Sequence, residues 1–280
     1  IGTCGTSGAD ATVDWMYEIT AELAAELGQN LKIARLYSEQ SPDETAKAFE
    51  DGRIAPLDPA PEIDEGVIRA MAHIVALAGA EQIQAALATG ADIVLAGRTT
   101  DTAIIAALPL QNGDPPGAAW HGAKVGECGA LCSTNPTSGV VLVKFDGAGF
   151  AVTPLADAAA CTPHSVSAHM LYENADPFIL HEPGGHLDVT DAQYTAIDPI
   201  SVRVEGARWV PADSYRVKLE AARIAGYQTT LLAILRNRRY VQNAHAWAAK
   251  LSAFLRGEIG RRMGLASQDY ALELRLIGVD

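Results

Sequence analysis

The stretch DIVLAGRTTD, residues 92–101, joins an apolar run to a polar turn and the first residues of a helix. The apolar run predicts a short buried strand over 92–96, and the residues after the turn predict a helix over 100–108. The same order recurs at 31–36 with 42–51 and at 73–77 with 80–88. Repeated strand–helix units are typical of a parallel sheet covered by helices. The fold class predicted for residues 1–135 is therefore α/β, with a Rossmann-like, mostly parallel sheet and flanking helices.

The pattern changes after residue 135, and residues 136–280 are predicted to form a strand-rich α+β domain. The turn DGAG at 146–149 separates two β-branched runs and indicates a hairpin. A long helix is predicted over 241–263. Further strands are predicted at 193–197, 201–205, 215–219, 227–235 and 270–277.

Composition excludes some classes of protein. The chain has 280 residues, 49% hydrophobic content and a net charge of −13, without a basic stripe, so we expect no nucleic acid partner. It has neither an apolar run of the ~20 residues that a membrane span needs nor a signal peptide pattern. We therefore expect a cytoplasmic protein, with no membrane partner and with free thiols at its four cysteines. Because Ile1 leads at once into a glycine-rich turn, we expect the first domain to be N-terminally incomplete.

A glycine-rich turn, GTCGTSGAD, occupies residues 2–10 directly before a predicted helix. Ligands of open α/β sheets collect beyond the carboxyl ends of the strands. A turn of this kind can present backbone N–H groups and the positive end of a helix to a carboxylate or phosphate. The alternative is a tight turn in which Thr6 or Ser7 only caps the helix.

Two further turns carry polar side chains. Arg98 follows the strand at 92–96, and its planar guanidinium suits a carboxylate, unless it pairs with Asp101 as part of the scaffold. Glu39 follows the strand at 31–36 and is either a general base or a solvated acid. We expect the glycine-rich turn and Arg98 to meet across a common pocket.

A helix predicted over 118–132 places His121, Lys124, Cys128 and Cys132 on one face, with Glu127 beside them. Cys128 is either a nucleophile activated by Lys124 or His121, or a small apolar residue in the core. Alternation along a strand near residue 218 would place Arg216, Lys218 and Glu220 in the same cleft.

Four histidines lie close together in the second half, in the segments 161–169 and 181–188. Within each pair the gap of five residues misses the helical spacing of a metal motif. A mixed site built from His169, His186 and Asp188 stays open. We nevertheless expect no metal site, and hydrogen-bonded roles in the core for these histidines.

Five separated segments carry a family resemblance: GTCGTSGAD (2–10), IVLAGRTTDTA (93–103), AKVGECGALC (123–132), CTPHSVSAHMLYENADPF (161–178) and YRVKLEAARIAGY (215–227). In that order they resemble the acyclic terpene utilisation family. The resemblance implies a further N-terminal stretch, a small ferredoxin-like companion domain or subunit, and a role in degrading branched or multiply carboxylated acids through acyl-CoA thioesters. The segment Arg236-Asn237-Arg238 departs from the Arg-Asp-Pro turn of that family.

From the residues and the resemblance together we expect an enzyme, or enzyme subunit, of lyase, hydratase or isomerase type. It would be a homo-oligomer. The cofactor is left open, since the sequence requires none and CoA could enter as part of the substrate. The alternatives are a non-catalytic binding or assembly subunit of a carboxylase-type or lyase complex, and a metal-dependent hydrolase. The expected substrate-binding residues are Gly5, Thr6, Ser7, Gly8, Asp10, Arg98, Asp101 and Lys218, and the expected catalytic residues are Lys124, Glu127, Cys128, His169 and Glu220.

Overall fold

The computed structural model describes residues 1–136 and 139–278 and forms two compact units, the first over Ile1–Ile224 and the second from Ala225 onward. The helices of the first unit are α1 (Asp10–Glu26), α2 (Pro42–Glu50), α3 (Glu65–Arg69), α4 (Ala80–Ala88), α5 (Asp101–Asn112), α6 (Pro116–Gly126) and α7 (Pro163–Ala168). Its strands are β1 (Ile33–Leu36), β2 (His73–Ala76), β3 (Ile93–Ala96), β4 (Val141–Phe145), β5 (Gly149–Pro154), β6 (Ile179–Glu182), β7 (Gly185–Asp188), β8 (Gln193–Ala196), β9 (Val202–Glu205), β10 (Arg208–Pro211) and β11 (Leu219–Ala222). The second unit contains α8 (Arg238–Gln242) and α9 (Ala244–Met263).

The predicted parallel pairing is confirmed for β1 and β3, which run side by side from Ile33 opposite Ile93 to Leu36 opposite Ala96. The first residue of the chain lies along β3, since the N–H of Ala96 donates to the carbonyl of Ile1 at 2.8 Å. In contrast, β2 pairs antiparallel with β11. The α/β class is therefore confirmed with one parallel pair, and the Rossmann-like strand order stays a prediction.

The predicted strand-rich half forms two antiparallel sheets, ordered β4-β5-β9-β8 and β10-β7-β6. Helix α6 packs against them through Trp120, whose ring stacks on Trp209 with centroids 4.8 Å apart. The largest hydrophobic cluster joins Ala103 and Trp120 to Phe150 and Val204. The hydrophobic core is thus shared between α5, α6 and the antiparallel strands. The predicted division near residue 135 stays a prediction.

Several predicted elements are wrong. The helix predicted over 118–132 ends at Gly126, because Gly129 takes a positive φ of 59° and a 3-10 turn follows at Gly129–Cys132. The strand predicted over 215–219 lies instead at Leu219–Ala222. Residues 227–235 and 270–277 form no strand, since β-propensity needs a pairing partner and they are mostly exposed.

Helix α9 confirms the predicted long helix to within three residues at its start. None of the helices in the described part of the chain is both long and apolar enough to span a bilayer.

Candidate functional site

The chain segments that leave β1, β2 and β3 meet at one edge of the structure. The N–H of Gly97 donates to the carbonyl of Leu36 at 2.8 Å, and the N–H of Ala78 donates to the carbonyl of Arg98 at 3.0 Å. The hydroxyl of Ser38 donates to the same Arg98 carbonyl at 2.9 Å. Arg98 therefore has its backbone held from two neighbouring segments.

The glycine-rich turn reaches this edge through Gly8. The N–H of Arg98 donates to the carbonyl of Gly8 at 3.2 Å, and the Arg98 guanidinium donates to the carbonyl of Thr6 at 3.4 Å. Gly8 has a φ of +68°, and a Cβ at that position would lie 2.3 Å from the backbone nitrogen of Arg98. Only glycine allows this approach. The turn and Arg98 therefore meet as predicted, and the common pocket between them stays a prediction.

The turn is closed by its own hydrogen bonds. The N–H groups of Thr6, Ser7 and Gly8 donate to carbonyls within the turn at 2.7–3.2 Å. The N–H of Asp10 donates to the Glu39 carboxylate at 3.3 Å, so a side chain of the protein already occupies the positive end of α1. The prediction of free N–H groups is wrong for these four residues. The cap of α1 is Ala9, so the alternative in which Thr6 or Ser7 caps this helix is wrong as well.

Asp10 and Glu39 have structural contacts at this edge. The Asp10 carboxylate accepts from the N–H groups of Ser38 and Glu39 at 3.1 and 3.2 Å. The other oxygen of Glu39 pairs with His73. Asp10 and Glu39 thus tie α1 to the ends of β1 and β2.

Arg98 forms an ion pair with Glu220 at 2.8 Å, and Lys218 pairs with the other oxygen of Glu220 at 2.8 Å. The partner of Arg98 is therefore Glu220 and not Asp101, so the scaffold alternative is wrong. Partial burial alone would raise the pKa of Glu220, but hydrogen bonds from Lys218 and Arg98 outweigh it and hold that pKa below its ordinary value. We call Gly8, Ser38, Arg98, Lys218 and Glu220 the edge cluster. Its side chains carry two cations and one carboxylate.

A second group lies just beyond the start of α5. Lys124 and Glu127 form an ion pair in which the side chains are only 8% and 6% exposed. The hydroxyl of Thr102 donates to Glu127 at 2.6 Å. His169 hydrogen-bonds to the backbone of Lys124, and Glu182 contacts the hydroxyls of Thr100 and Thr102. We call Thr102, Lys124, Glu127, His169 and Glu182 the buried cluster.

Burial changes the protonation of two members of the buried cluster. It raises the pKa of Glu182 to about 7, and the negative charge of Glu127 acts in the same direction. Burial lowers the pKa of His169, as does the ammonium of Lys124. Near neutral pH these residues are therefore a carboxyl group that exchanges its proton and a neutral imidazole.

The predicted polar stripe on α6 divides into separate environments. His121 faces Phe150 and Tyr194, and burial lowers its pKa to about 3. The buried thiol of Cys132 hydrogen-bonds to Cys161. Burial also raises the pKa of Cys128, which keeps its thiol protonated and does not favour the nucleophile hypothesis.

In the described residues, no group of three or more His, Cys, Asp or Glu side chains is placed to hold a metal ion. His181 and His186 lie opposite each other on β6 and β7, with ring centroids 5.7 Å apart. Metal-dependent hydrolysis gains no support from this arrangement. An apolar groove of about 360 Å³ lies between α5 and β4, and its lining includes no member of either cluster.

The sequence profile described as "Acyclic terpene utilisation family protein AtuA" matches residues 6–114 and 117–274. The chain belongs to this family. No curated protein and no solved structure matches the chain. The matched ranges include the residues of both clusters.

Sequence reasoning missed two polar residues of this family member, Thr102 and Glu182. Thr102 lies within the quoted segment 93–103, but a threonine in the first turn of a helix has no spacing that marks it as functional. Glu182 ends β6 before the turn at 183–184. A carboxylate at the end of a strand is a signal for a functional residue. In this segment the histidines were considered as metal ligands, and the glutamate between them was not.

Proposed function

We propose that this family member is a cytoplasmic catabolic enzyme, or enzyme subunit, in the degradation of acyclic terpenes or related carboxylates. Its substrate is a small branched or multiply carboxylated acid, free or as its acyl-CoA thioester. Its reaction is of lyase, hydratase or isomerase type. CoA enters as part of the substrate, and no further cofactor belongs to the proposal.

The observation that carries the proposal is the pairing of two solvent-accessible cations with one glutamate, Glu220, in the edge cluster. Arg98 and Lys218 face a single carboxylate, Glu220, in a chain whose net charge is −13. Their side chains are 27% and 52% exposed, so an anion from solution can reach them. A guanidinium binds a carboxylate through paired hydrogen bonds. A carboxylate or phosphate that joins Glu220 here would balance the charge of the cluster.

The chemistry in this proposal comes from the buried cluster. Lys124, Glu127 and His169 are shielded from water, which strengthens their electrostatic effect on a reacting group. Side chains of these types can also move a proton to or from such a group. Arg98 and Thr102 lie in adjoining parts of one turn and helix, so anion recognition and proton transfer are close in the chain.

Calorimetric binding and turnover with a panel of branched dicarboxylates and acyl-CoA thioesters test the proposal. Arg98→Ala should weaken binding of the best ligand about 10- to 100-fold, because it removes a charged hydrogen-bonding group. Arg203→Ala is the matched control, since Arg203 is also ion-paired, to Asp146 and Glu205 on the antiparallel sheet. Unchanged affinity and turnover in folded Arg98→Ala would contradict the proposal.

A second candidate function is a non-catalytic binding or assembly subunit of a carboxylase-type or lyase complex. It is favoured by the second unit, in which Tyr227, Leu231, Leu232 and Ile234 are between 82% and 96% exposed. Exposed apolar segments of this kind are typical of surfaces that meet a partner. The partners we propose are further copies of this chain and a small ferredoxin-like subunit. Co-elution with a partner enzyme, together with no turnover of the panel, would establish this function instead.

A further inference from the structure

Two polar atoms without a partner border the Lys124–Glu127 ion pair. They are Nε2 of His169 and Oε2 of Glu182, each shielded from solvent and without a hydrogen bond to any described residue. His169 as a whole is 4% exposed. Buried polar atoms in folded proteins almost always have partners. Two exceptions beside one ion pair therefore indicate a place where a ligand makes hydrogen bonds.

The hydrogen bond to the backbone decides the state of the histidine ring. His169 bonds to the backbone of Lys124, and Nε2 is the atom that lacks a partner. Nδ1 is therefore the nitrogen that donates to the Lys124 carbonyl. In a neutral ring, Nε2 then carries a lone pair. The unpartnered atom of His169 is a base.

The balance of charges decides the state of Glu182. Within the buried cluster, Lys124 is the cation that faces two carboxyl groups, those of Glu127 and Glu182. The Glu127 carboxylate pairs with the ammonium of Lys124 and accepts a hydrogen bond from the hydroxyl of Thr102. An ionised Glu182 would be a second buried negative charge without its own cation, so the neutral acid is favoured. The carboxyl of Glu182 is an acid with a proton to donate.

We propose that Glu182 and His169 are the acid and the base of a hydration site, which adds water across a carbon–carbon double bond of an acyl chain or removes it. The inference rests on the proposed function and deepens it, because the edge cluster would hold the anionic end of the same substrate. Burial favours the neutral form of both residues, and the charge of Glu127 reinforces it at Glu182 while the charge of Lys124 reinforces it at His169. Glu182 is the residue that this assignment adds.

The proton balance of the step closes. In the direction of hydration, Nε2 of His169 takes a proton from water while the water oxygen bonds to the β-carbon. The electron pair of the double bond takes the proton of Glu182 at the α-carbon. One O–H bond and one π bond break, and one C–O and one C–H bond form. His169 ends protonated and Glu182 ionised, and proton exchange with solvent restores both.

The test uses 3-methylbut-2-enoyl-CoA in water enriched in oxygen-18, with product analysed by mass spectrometry. Wild-type protein should place the label at the β-carbon. Glu182→Gln and His169→Asn should each lower kcat by about 10²- to 10⁴-fold, the usual contribution of a general acid or base. Binding measured by calorimetry should change by less than about threefold, because the replacements are close in shape. Glu205→Gln and His245→Asn are the matched controls, since both residues are exposed and belong to neither cluster.

A second readout does not depend on a variant that folds. The kcat of wild-type hydration should fall as pH rises through about 7, because Glu182 then loses the proton that it donates. The charged groups that act on Glu182 are Lys124, from α6, and Glu127, which directly follows that helix, and the hydroxyls of Thr100 and Thr102 hydrogen-bond to Glu182. A wild-type profile whose kcat stays constant through pH 7 would contradict the role of Glu182 as the acid.

The outcomes separate the two proposals. Wild-type protein that binds the thioester without incorporating label would overturn the hydration site and leave anion recognition standing. Label incorporation that drops in Glu182→Gln while Arg98→Ala binds normally would support the hydration site and contradict the role of the edge cluster. Wild-type turnover in both Glu182→Gln and His169→Asn would overturn the assignment of acid and base.

Discussion

The edge cluster and the buried cluster use the same kinds of side chain and give their glutamates opposite properties. At the edge, two cations face Glu220, and the pKa of this residue lies below its ordinary value. In the buried cluster, one cation serves two carboxyls, and burial raises the pKa of Glu182 to about 7. The number of cations for each carboxylate and the access of water therefore decide protonation. Glutamate is thus the ionised partner of two cations at the edge, whereas in the buried cluster it holds a proton up to about neutral pH.

The largest difference between the clusters should appear when a lysine is removed from each. Lys124→Met leaves Glu127 and Glu182 buried without a cation and should cost about 3–5 kcal/mol of unfolding free energy. Lys218→Met removes a half-exposed partner of Glu220 and should cost less than about 1 kcal/mol. Urea denaturation followed by tryptophan fluorescence measures both.

The Lys124→Met loss should shrink toward pH 5, because the two carboxyls can then take up protons. Equal costs for Lys124→Met and Lys218→Met would show that the buried ion pair contributes no more than the exposed one.

The contact between the glycine-rich turn and Arg98 should be almost as sensitive. Gly8→Ala places a Cβ 2.3 Å from the Arg98 nitrogen, so the turn must move away from the edge cluster. Gly28→Ala is the matched control, since Gly28 has a similar φ of +64° with nothing within 4 Å of the added Cβ. The control should cost about 1 kcal/mol for the left-handed backbone alone. Gly8→Ala should cost about 3 kcal/mol more.

Ligand affinity sharpens the result for Gly8. Gly8→Ala should also weaken anion binding, and Gly28→Ala should leave it as in the wild type. Identical denaturation midpoints for the two variants would contradict the close approach of Gly8 to Arg98.

The opposite pKa shifts predict opposite pH dependences of stability. For Glu182 the folded pKa lies above its ordinary value of 4.5, so its stabilising effect is complete below pH 4.5 and is lost as pH rises through about 7. The total change is about 3 kcal/mol. For Glu220 the folded pKa is lowered, so its contribution is present above pH 4.5 and is lost at lower pH.

Denaturation curves between pH 3 and pH 9 test this opposition. Glu182→Gln should remove the decline on the alkaline side, and Glu220→Gln should reduce the decline on the acid side. A Glu182→Gln curve parallel to that of the wild type above pH 5 would show that Glu182 is ionised in the folded protein.

The two clusters also differ in how far the sequence predicts them. The meeting of Gly8 with Arg98 follows from a general rule, that segments leaving neighbouring parallel strands share one edge. The partner of Arg98 does not follow from it. Glu220 reaches Arg98 because β11 pairs with β2, and this pairing between distant parts of the chain has no local signal. Local periodicity therefore predicted which turns meet and did not predict which acid pairs with Arg98.

Burial explains most of what sequence reasoning missed. Helical spacing grouped His121 with Lys124 and Cys128, but the helix ends at Gly126, and each of these side chains meets a different environment. Glu182 has no motif of its own and matters because β6 brings it beside Thr102. Such contacts depend on how sheets and helices pack, and a single sequence does not display them.

The smallest predicted effect concerns the hydroxyl that links α5 to α6 inside the buried cluster. Thr102→Val keeps the shape of the side chain but removes the hydrogen bond that Glu127 accepts at 2.6 Å. The loss should be about 1–2 kcal/mol, since Glu127 is buried and its oxygen is left unsatisfied. Thr102→Ser restores the hydroxyl and should recover most of this loss.

The same hydroxyl also contacts Glu182. The decline in stability on the alkaline side should therefore shift in pH in Thr102→Val and return to its wild-type position in Thr102→Ser. A serine variant no more stable than the valine variant would show that the methyl group, rather than the hydrogen bond, is what α5 contributes there.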